Sequence, residues 1–225
     1  MPPRTFGPLS TTRYVVNGVP FDTVRVPPGR FVDGEGMEKR ELLVSRPFEL
    51  GTTLVTQALW RAVTGESPSY FRGDDRPVER VSWDDVQTFL GRLELLGLQG
   101  FRLPAEAEWA WAARCGVSTR WAGADRAKVV AVVDKVRPEP VGGLLPSAAG
   151  ALDLSGNMME WQQDWWSRPP VAGVDADGPA SGYDRVWRGG SWEDAPGFVR
   201  LVYRSSFSSD SLAVYLGLRL ARTAP

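Results

Sequence analysis

Helical periodicity in this chain is confined to its first half, and this limits the fold more than any other sequence feature. After about residue 117, short aromatic or β-branched runs alternate with Gly, Pro, Ser and Asp, which predicts loops and short strands. The chain also contains 10 Trp residues. Because Trp buries a large area and its N–H needs a partner, we expect these side chains to form a core that holds the loops in place.

Three helices are predicted in the first half, over residues 56–65, 82–97 and 105–114. The second has the strongest signal, because Ser82 and Asp85 have the spacing of a capping box and apolar residues then repeat at helical intervals. Two further segments, 21–26 and 48–54, are expected to be extended.

The residue types that are missing exclude several kinds of chemistry. The sequence has no His and one Cys, Cys115. Catalytic triads, Cys/His pairs and histidine-ligated iron or zinc all need an imidazole, and a disulfide within the chain needs a second thiol. The formal net charge is -1 and there is no basic stripe. This balance argues against electrostatic binding to nucleic acid or to an anionic membrane, so no nucleic-acid or membrane partner is predicted.

The chain is expected to be one domain. Residues 1–20 are predicted to form an N-terminal arm, because the first dozen are rich in Pro, Ser, Thr and Gly, and residues 21–225 contain no repeat, low-complexity tract or linker. No run approaches the about 20 apolar residues needed to span a bilayer, and the N-terminus lacks the apolar region of a signal peptide. We therefore expect a cytoplasmic or virion location.

Five segments match motifs that occur together in one family. They are, in chain order, 77–83 (PVERVSW), 101–114 (FRLPAEAEWAWAAR), 153–166 (DLSGNMMEWQQDWW), 188–192 (RGGSW) and 217–221 (GLRLA). Together they resemble the formylglycine-generating enzyme (sulfatase-modifying factor) family. The resemblance implies an α/β (α+β) fold with little regular secondary structure, elaborated from the C-type lectin fold, whose C-terminal part presents a ligand-facing surface.

The catalytic residues of this family do not carry over. Its oxidases hold copper through two cysteines shortly after the RGGS motif, and here residues 192–199 (WEDAPGFV) contain no thiol. Cys115 falls at the end of the third predicted helix, where a small buried apolar role is expected. The ergothioneine-type sulfoxide synthases of the family need histidine-ligated iron, and the chain has no His. We therefore predict a non-catalytic protein that requires no cofactor.

A calcium site is one expectation that the resemblance adds. Family members bind calcium through backbone oxygens and a Glu of the GNxWEW segment, which by register are the carbonyls of Asp153, Gly156 and Met158 with the Glu160 carboxylate. Calcium takes 6–8 oxygen ligands, so this segment needs further ligands to complete a site. The alternative is that Glu160 pairs with an arginine inside the fold.

The C-terminal segment resembles one branch of this fold most, the variable ligand-binding proteins of diversity-generating retroelements. In these proteins the segment is rewritten by copying from a template whose adenines are mutated, and the resemblance places the variable region at about 188–222. Residues 205–217 contain only amino acids encoded by codons ending in C or T, which randomised AAC or AAT codons produce. Their mixture of Tyr, Phe, Ser, Asp and small apolar residues is typical of an antibody-like paratope.

We therefore predict that the C-terminal surface binds a protein or other macromolecular ligand. The expected contact residues are Trp192, Asp194, Phe198, Leu201, Tyr203, Ser205, Phe207, Ser211, Ala213, Val214 and Tyr215. Tyr203, Phe207 and Tyr215 are expected to be rigid aromatic anchors, the alternative being that they fill the core.

Arginines that alternate with these positions are assigned to the scaffold. We expect Arg200, Arg204 and Arg219 to fix loops by bidentate pairing. Two other functions remain open at this point. One is a fixed interaction domain of the same fold, which would use the same face, and the other is a formylglycine-generating-type oxidase with an unrecognised cofactor.

Overall fold

The computed structural model describes residues 9–223, which form a mixed α+β fold built mainly of short strands. The strands are, in chain order, β1 (Thr11–Val16), β2 (Val19–Val26), β3 (Gly29–Asp33), β4 (Arg40–Val44), β5 (Phe48–Gly51), β6 (Phe101–Arg102), β7 (Met159–Trp165), β8 (Gly173–Val174), β9 (Asp184–Arg188), β10 (Arg204–Ser208), β11 (Leu216–Gly217) and β12 (Ala221–Thr223). The helices are α1 (Gln57–Thr64), α2 (Trp83–Leu95), α3 (Glu106–Arg114) and α4 (Ala127–Val130). Within the described part of the chain, no helix is long and apolar enough to cross a bilayer.

The strands form three sheets that join distant parts of the chain. Their orders are β1-β2-β5-β12-β6, β10-β9-β7-β11 and β3-β4-β8. The last strand, β12, pairs with both β5 and β6 and so joins them in the first sheet. β11 pairs in parallel with β7, which brings the end of the C-terminal segment against the sheet that carries β9 and β10.

The three predicted helices are confirmed, and the local signals that specify them are present. The Ser82 hydroxyl accepts the Asp85 N–H at 3.0 Å while the Asp85 carboxylate accepts the Ser82 N–H at 2.9 Å, a complete capping box for α2. α1 ends at Gly65, whose φ of 79° lies in the left-handed region that favours glycine. α4 was not expected, because a helix of one turn is too short to show periodicity.

The predicted N-terminal arm is wrong from residue 11 onward. β1 pairs with β2 along its whole length as the edge strand of the first sheet. The turn between them is Asn17-Gly18, with φ of 46° and 82°, the pair of positive values that a tight hairpin turn requires. Residues 1–8 of the predicted arm lie outside the described residues.

The tryptophans form the expected core. Seven of the ten are buried, and α3 lies between the sheets with eight of its nine residues buried. Indole N–H groups reach carbonyls of distant segments: Trp83 to Gln162 at 3.0 Å, Trp121 to Pro196 at 2.9 Å and Trp161 to Val81 at 3.1 Å. These bonds hold irregular segments together, which confirms that the tryptophans hold the loops in place.

Candidate functional site

The two faces of the β9–β10 pair carry different residues: one face holds arginines that are bound inside the fold, and the other holds residues of the predicted contact surface. Arg204 lies opposite Arg188, and Ser205 lies opposite Trp187. Directly opposed residues of an antiparallel pair share a face, and successive residues alternate between faces. Arg188 and Arg204 therefore lie on the interior face, and Trp187, Ser205 and Phe207 lie on the other face.

That other face carries a continuous row of aromatic rings, here called the aromatic strip: Phe198, Tyr203, Trp187, Phe207 and Tyr215. Successive ring centroids are 5.6, 5.9, 5.8 and 6.3 Å apart. Trp187 is buried at the base of the strip, Phe198 is 52% exposed, and the other three rings are half-buried. The strip offers aromatic contact area at low conformational cost, because the rings already pack against one another.

Residues 205–217 are held to the scaffold mainly through main-chain atoms. The bonds run from the Arg80 N–H to the Ala213 carbonyl (3.0 Å), from the Trp83 N–H to the Ser209 carbonyl (2.9 Å) and from the Met159 N–H to the Tyr215 carbonyl (2.9 Å). β10 adds a strand ladder with β9. Main-chain bonds do not depend on side-chain identity, so the path of this segment is compatible with many sequences.

Most of the predicted contact residues are accessible on this surface. Those that are half-buried or exposed are Asp194, Phe198, Tyr203, Ser205, Phe207, Ser211, Ala213, Val214 and Tyr215. Tyr203, Phe207 and Tyr215 pack with one side against the core and leave the other side open. Each of these three rings therefore fills part of the core and also leaves surface open for contact.

The prediction of ligand contact is wrong for two residues, because their side chains are buried. Leu201 is 1% exposed and belongs to the core cluster that contains Trp109, and Trp192 is 7% exposed and packs edge-on against Phe71. Asp194 is half-buried, and its carboxylate accepts the main-chain N–H of Ser191 at 2.8 Å, which fixes the turn rather than leaving it free.

Two residues of the surface were missed. Leu212 is 59% exposed and lies inside the segment of biased composition, so that composition could have indicated it. Trp187 forms the base of the aromatic strip, and the alternation of residues 184–188 along a strand could have placed it on the face opposite Arg188.

Beneath the sheet, two carboxylates and four guanidinium groups form a buried ion cluster. Its members are Asp33, Glu106, Arg40, Arg114, Arg188 and Arg204. Arg204 binds Glu106 through both Nε (2.7 Å) and Nη2 (3.0 Å), which confirms its scaffold role. Burial acts to raise the pKa of Asp33, but the surrounding arginines outweigh it and hold the pKa below its usual value.

Asp164 borders this cluster and titrates unusually. Its Oδ2 accepts the Glu106 N–H at 2.7 Å, and its side chain is buried. Burial, assisted by the negative charge of Glu106, raises the pKa of Asp164 to about 7. The carboxyl group can therefore change charge near neutral pH, beside the ions that support β9 and β10.

Glu160 forms the ion pair that was the alternative to calcium. Arg219 donates Nε and Nη2 to the Glu160 carboxylate at 3.0 and 2.9 Å, and the Trp109 indole N–H donates to it at 2.8 Å. Both charged side chains are fully buried. This pair confirms the scaffold role of Arg219, and it ties the 153–166 and 217–221 motifs together.

The Glu160 carboxylate, the one side-chain ligand of the predicted calcium site, is consequently engaged inside the fold. Both oxygens of Glu160 accept hydrogen bonds from Arg219, and the Gly156 carbonyl accepts the Met158 N–H at 2.8 Å, so two of the four predicted ligands already have partners. Among the described residues, 9–223, no group of three or more His, Cys, Asp or Glu residues is arranged to hold a metal ion.

The family's copper site does not fit this chain either. Residues 192–199 contain no thiol. Cys115 is 1% exposed in the core at the end of α3, and burial raises the pKa of its thiol to about 11. This confirms the predicted role of Cys115 as a small buried apolar residue, because a protonated, enclosed thiol neither binds copper nor acts as a nucleophile.

Comparison with known proteins agrees with this fold. "Treponema denticola variable protein 1" is a solved structure that superimposes with a TM-score of 0.88 at 28% identity, covering 95% of this chain and 99% of that one. A chaperone protein LppX from Paenibacillus barcinonensis is 25% identical over 90% of this chain and 89% of its own length.

Formylglycine-generating enzymes are also among the relatives. The enzyme from Thermomonospora curvata is 29% identical over 74% of this chain, which spans 62% of the enzyme's length. The model of the Sulfatase-modifying factor enzyme 1-like domain matches residues 16–224. The predicted fold, a C-type lectin-like fold of the formylglycine-generating enzyme type, is confirmed, and the chain belongs to the sulfatase-modifying factor enzyme 1-like domain family.

Proposed function

We propose that this protein is a non-catalytic ligand-binding protein, the variable protein of a diversity-generating retroelement, which recognises a protein or other macromolecular ligand through its C-terminal surface. One observation carries the proposal. Residues 205–217 expose side chains of paratope-like composition while main-chain bonds to residues 80, 83 and 159 fix their backbone. Because these bonds join main-chain atoms, the side chains of this segment can be substituted while its backbone conformation is kept.

Two further observations support this function over catalysis. The chain lacks the thiols and imidazoles that the enzymes of the family use, and Cys115 is buried. The likeness to "Treponema denticola variable protein 1" covers nearly the whole of both chains.

The first test is deep sequencing of the gene and its downstream flank in a growing population. We expect substitutions confined to codons from about 192 to 216, at sites where a nearby near-copy carries adenine. The codons of Arg188 and Arg219, outside that range, serve as internal controls and should stay at the background error rate. A uniform segment without a near-copy would contradict diversification and leave a fixed interaction domain of the same fold.

A second test separates accessible aromatic anchors from core residues. Phe207 is half-buried, whereas Phe89 in α2 is fully buried and is the matched control. Phe89→Ala should lower the free energy of unfolding by about 3–5 kcal/mol, and Phe207→Ala by about half of that or less. Equal losses would show that Phe207 belongs to the core, against its use as a ligand contact.

An oxidase of the formylglycine-generating type is the alternative, favoured by the 29% identity to the enzyme from Thermomonospora curvata. Oxygen consumption by the purified protein supplied with copper tests it. We expect none above the rate of copper alone. Turnover that Cys115→Ser abolishes would overturn the non-catalytic proposal.

A further inference from the structure

A cleft beside the aromatic strip is lined by guanidinium groups above an aromatic floor. It encloses about 590 Å³ between β3, the loop after α3 and residues 200–202, and it is here called the arginine cleft. Phe31 and Trp111 form its floor, with ring centroids 5.4 Å apart. Gly29 permits this packing, because a Cβ at residue 29 would lie 1.9 Å from the Trp111 ring.

The cleft has a surplus of positive charge. Arg30 and Arg120 line it, are exposed, and form no ion pair with any residue in the 9–223 range. Arg200, also in the lining, reaches Glu35 only at 3.4 Å, and that carboxylate is 64% exposed. The other acid of the lining, Asp125, accepts the main-chain N–H of Arg120 and leaves the guanidinium unpaired. At least two cations are thus free to meet an anionic group.

The remaining arginine of the cleft, Arg114, belongs to the scaffold. Its Nη2 binds the buried Asp33 carboxylate at 2.8 Å, which satisfies its charge from behind the cleft. The unpaired charge of the cleft therefore resides on Arg30 and Arg120, both of which are exposed.

The arginine cleft adjoins one end of the aromatic strip. Arg200 and Val202 line the cleft, and Tyr203 and Phe198 begin the strip. From there β10 runs about 17 Å, at about 3.3 Å per residue. Near its far end, the exposed carboxylate of Asp84 accepts the hydroxyl of Ser209. A ligand lying along the strip would meet guanidinium groups at one end and the Asp84 carboxylate near the other.

We propose that the arginine cleft binds an acidic peptide segment of the ligand that the aromatic strip recognises. The inference rests on the proposed function, because it takes that ligand to be a macromolecule. Guanidinium groups bind carboxylates bidentately, and unpaired exposed cations steer acidic partners to the surface. The Phe31–Trp111 floor suits the apolar stems of glutamate side chains, and the hydroxyls of Ser118 and Thr119 line the cleft beside them.

The test uses a fluorescein-labelled hexaglutamate peptide as the probe, with binding followed by fluorescence anisotropy at about 0.01 M ionic strength, where charges are little screened. The wild-type protein should bind it, and the double variant Arg30→Ser/Arg120→Ser should raise the Kd about tenfold. Neither arginine has an ion pair to lose, so the variant should fold, which circular dichroism checks. Arg137→Ser is the matched control, because Arg137 is exposed, lacks an ion pair among the described residues and lies outside the lining. It should leave the Kd unchanged.

Inorganic phosphate forms the second arm of the experiment. If phosphate displaces the peptide at concentrations equal to those of unlabelled hexaglutamate, the cleft is a free-anion site and the peptide proposal is wrong. No binding by the wild-type protein, or equal binding by the double variant, also overturns it. The hexaglutamate probe tests the cleft alone. Failure here would therefore leave the aromatic strip to be decided by the sequencing test.

Discussion

Glu160→Gln is the substitution that tests the interior scaffold most directly. The wild-type carboxylate accepts three hydrogen bonds from Arg219 at 2.9 to 3.2 Å, and neither side chain has any solvent exposure. The amide of Gln keeps one acceptor for the Trp109 indole N–H but places its NH₂ group against a guanidinium. Arg219 then keeps only neutral acceptors, the amide oxygen and the Gly51 and Leu152 carbonyls, and no carboxylate balances its buried charge.

Removing one partner of a buried ion pair costs about 3–5 kcal/mol, because the other charge stays desolvated without compensation. With a urea m-value of about 3 kcal/mol/M, taken for a chain of this size, the unfolding midpoint should fall by about 1–2 M. The exposed pair Arg13–Asp22 is the matched control, since its side chains are 69% and 34% exposed. Asp22→Asn should lower the free energy of unfolding by less than about 1 kcal/mol.

The same experiment separates the ion pair from a calcium site. Excess calcium should leave the unfolding midpoint of the wild-type protein unchanged, because both oxygens of Glu160 already accept hydrogen bonds from Arg219. A ligand that binds the folded state raises the midpoint by mass action. If calcium raised the wild-type midpoint and not that of Glu160→Gln, or if the variant lost less than about 1 kcal/mol, the assignment of Glu160 to Arg219 would be refuted.

Three further predictions follow from burial and charge. Leu201→Ala should lower the free energy of unfolding, measured in urea, by about 2–5 kcal/mol, and Ser205→Ala by less than about 0.5 kcal/mol, because only Leu201 is fully buried. Equal losses would contradict the assignment of Leu201 to the core and Ser205 to the surface. Because the pKa of Asp164 is raised in the folded state, its contribution to the free energy of unfolding is full below about pH 4 and is lost as the pH rises through about 7. Asp164→Asn does not undergo this loss, so its free energy of unfolding relative to the wild type should rise by up to about 4 kcal/mol between pH 4 and pH 8. Parallel profiles of stability against pH for the two proteins would argue against this titration. Cys115 should resist iodoacetamide in the native protein and react fully in urea, and rapid native labelling, read by mass spectrometry, would mean that the thiol is accessible.

Local signals made part of this fold predictable from sequence. The α2 capping box lies within three residues, Ser82 to Asp85, so no tertiary information is needed to recognise it. β1 was missed because Ser and Thr dominate the composition around it, although Asn17-Gly18 between two alternating segments is a strong hairpin signal. Glu160 could be read as a calcium ligand or as half of an ion pair, and only the fold decides, because Arg219 is distant in sequence.

The candidate site was predictable as a segment but not residue by residue. Composition located the region, yet Leu201 is fully buried in the core whereas Tyr203, two residues further on, is half-buried in the aromatic strip. Period-two alternation predicts that both would face the same way, but residues 196–203 are not a strand: a 3-10 turn at Pro196–Val199 and a bend lead into β10. Irregular backbone removes the periodicity on which sequence reasoning relies, and this limits prediction across the whole second half of the chain.

Strand β10, by contrast, is regular, so period-two alternation assigns each of its side chains to one face. Along β10, Arg204 faces inward and is bound by both oxygens of Glu106, so a change at this position would leave a buried carboxylate short of a partner. Its neighbours Ser205 and Phe207 face outward, and their backbone is fixed by the ladder with β9. A change at Ser205 alters contact area and little else, whereas a change at Phe207 also alters its partial packing against the core. The residues that stabilise the fold and those that we propose to contact a ligand therefore lie on opposite faces of one strand, which is the arrangement that a diversified binding surface needs.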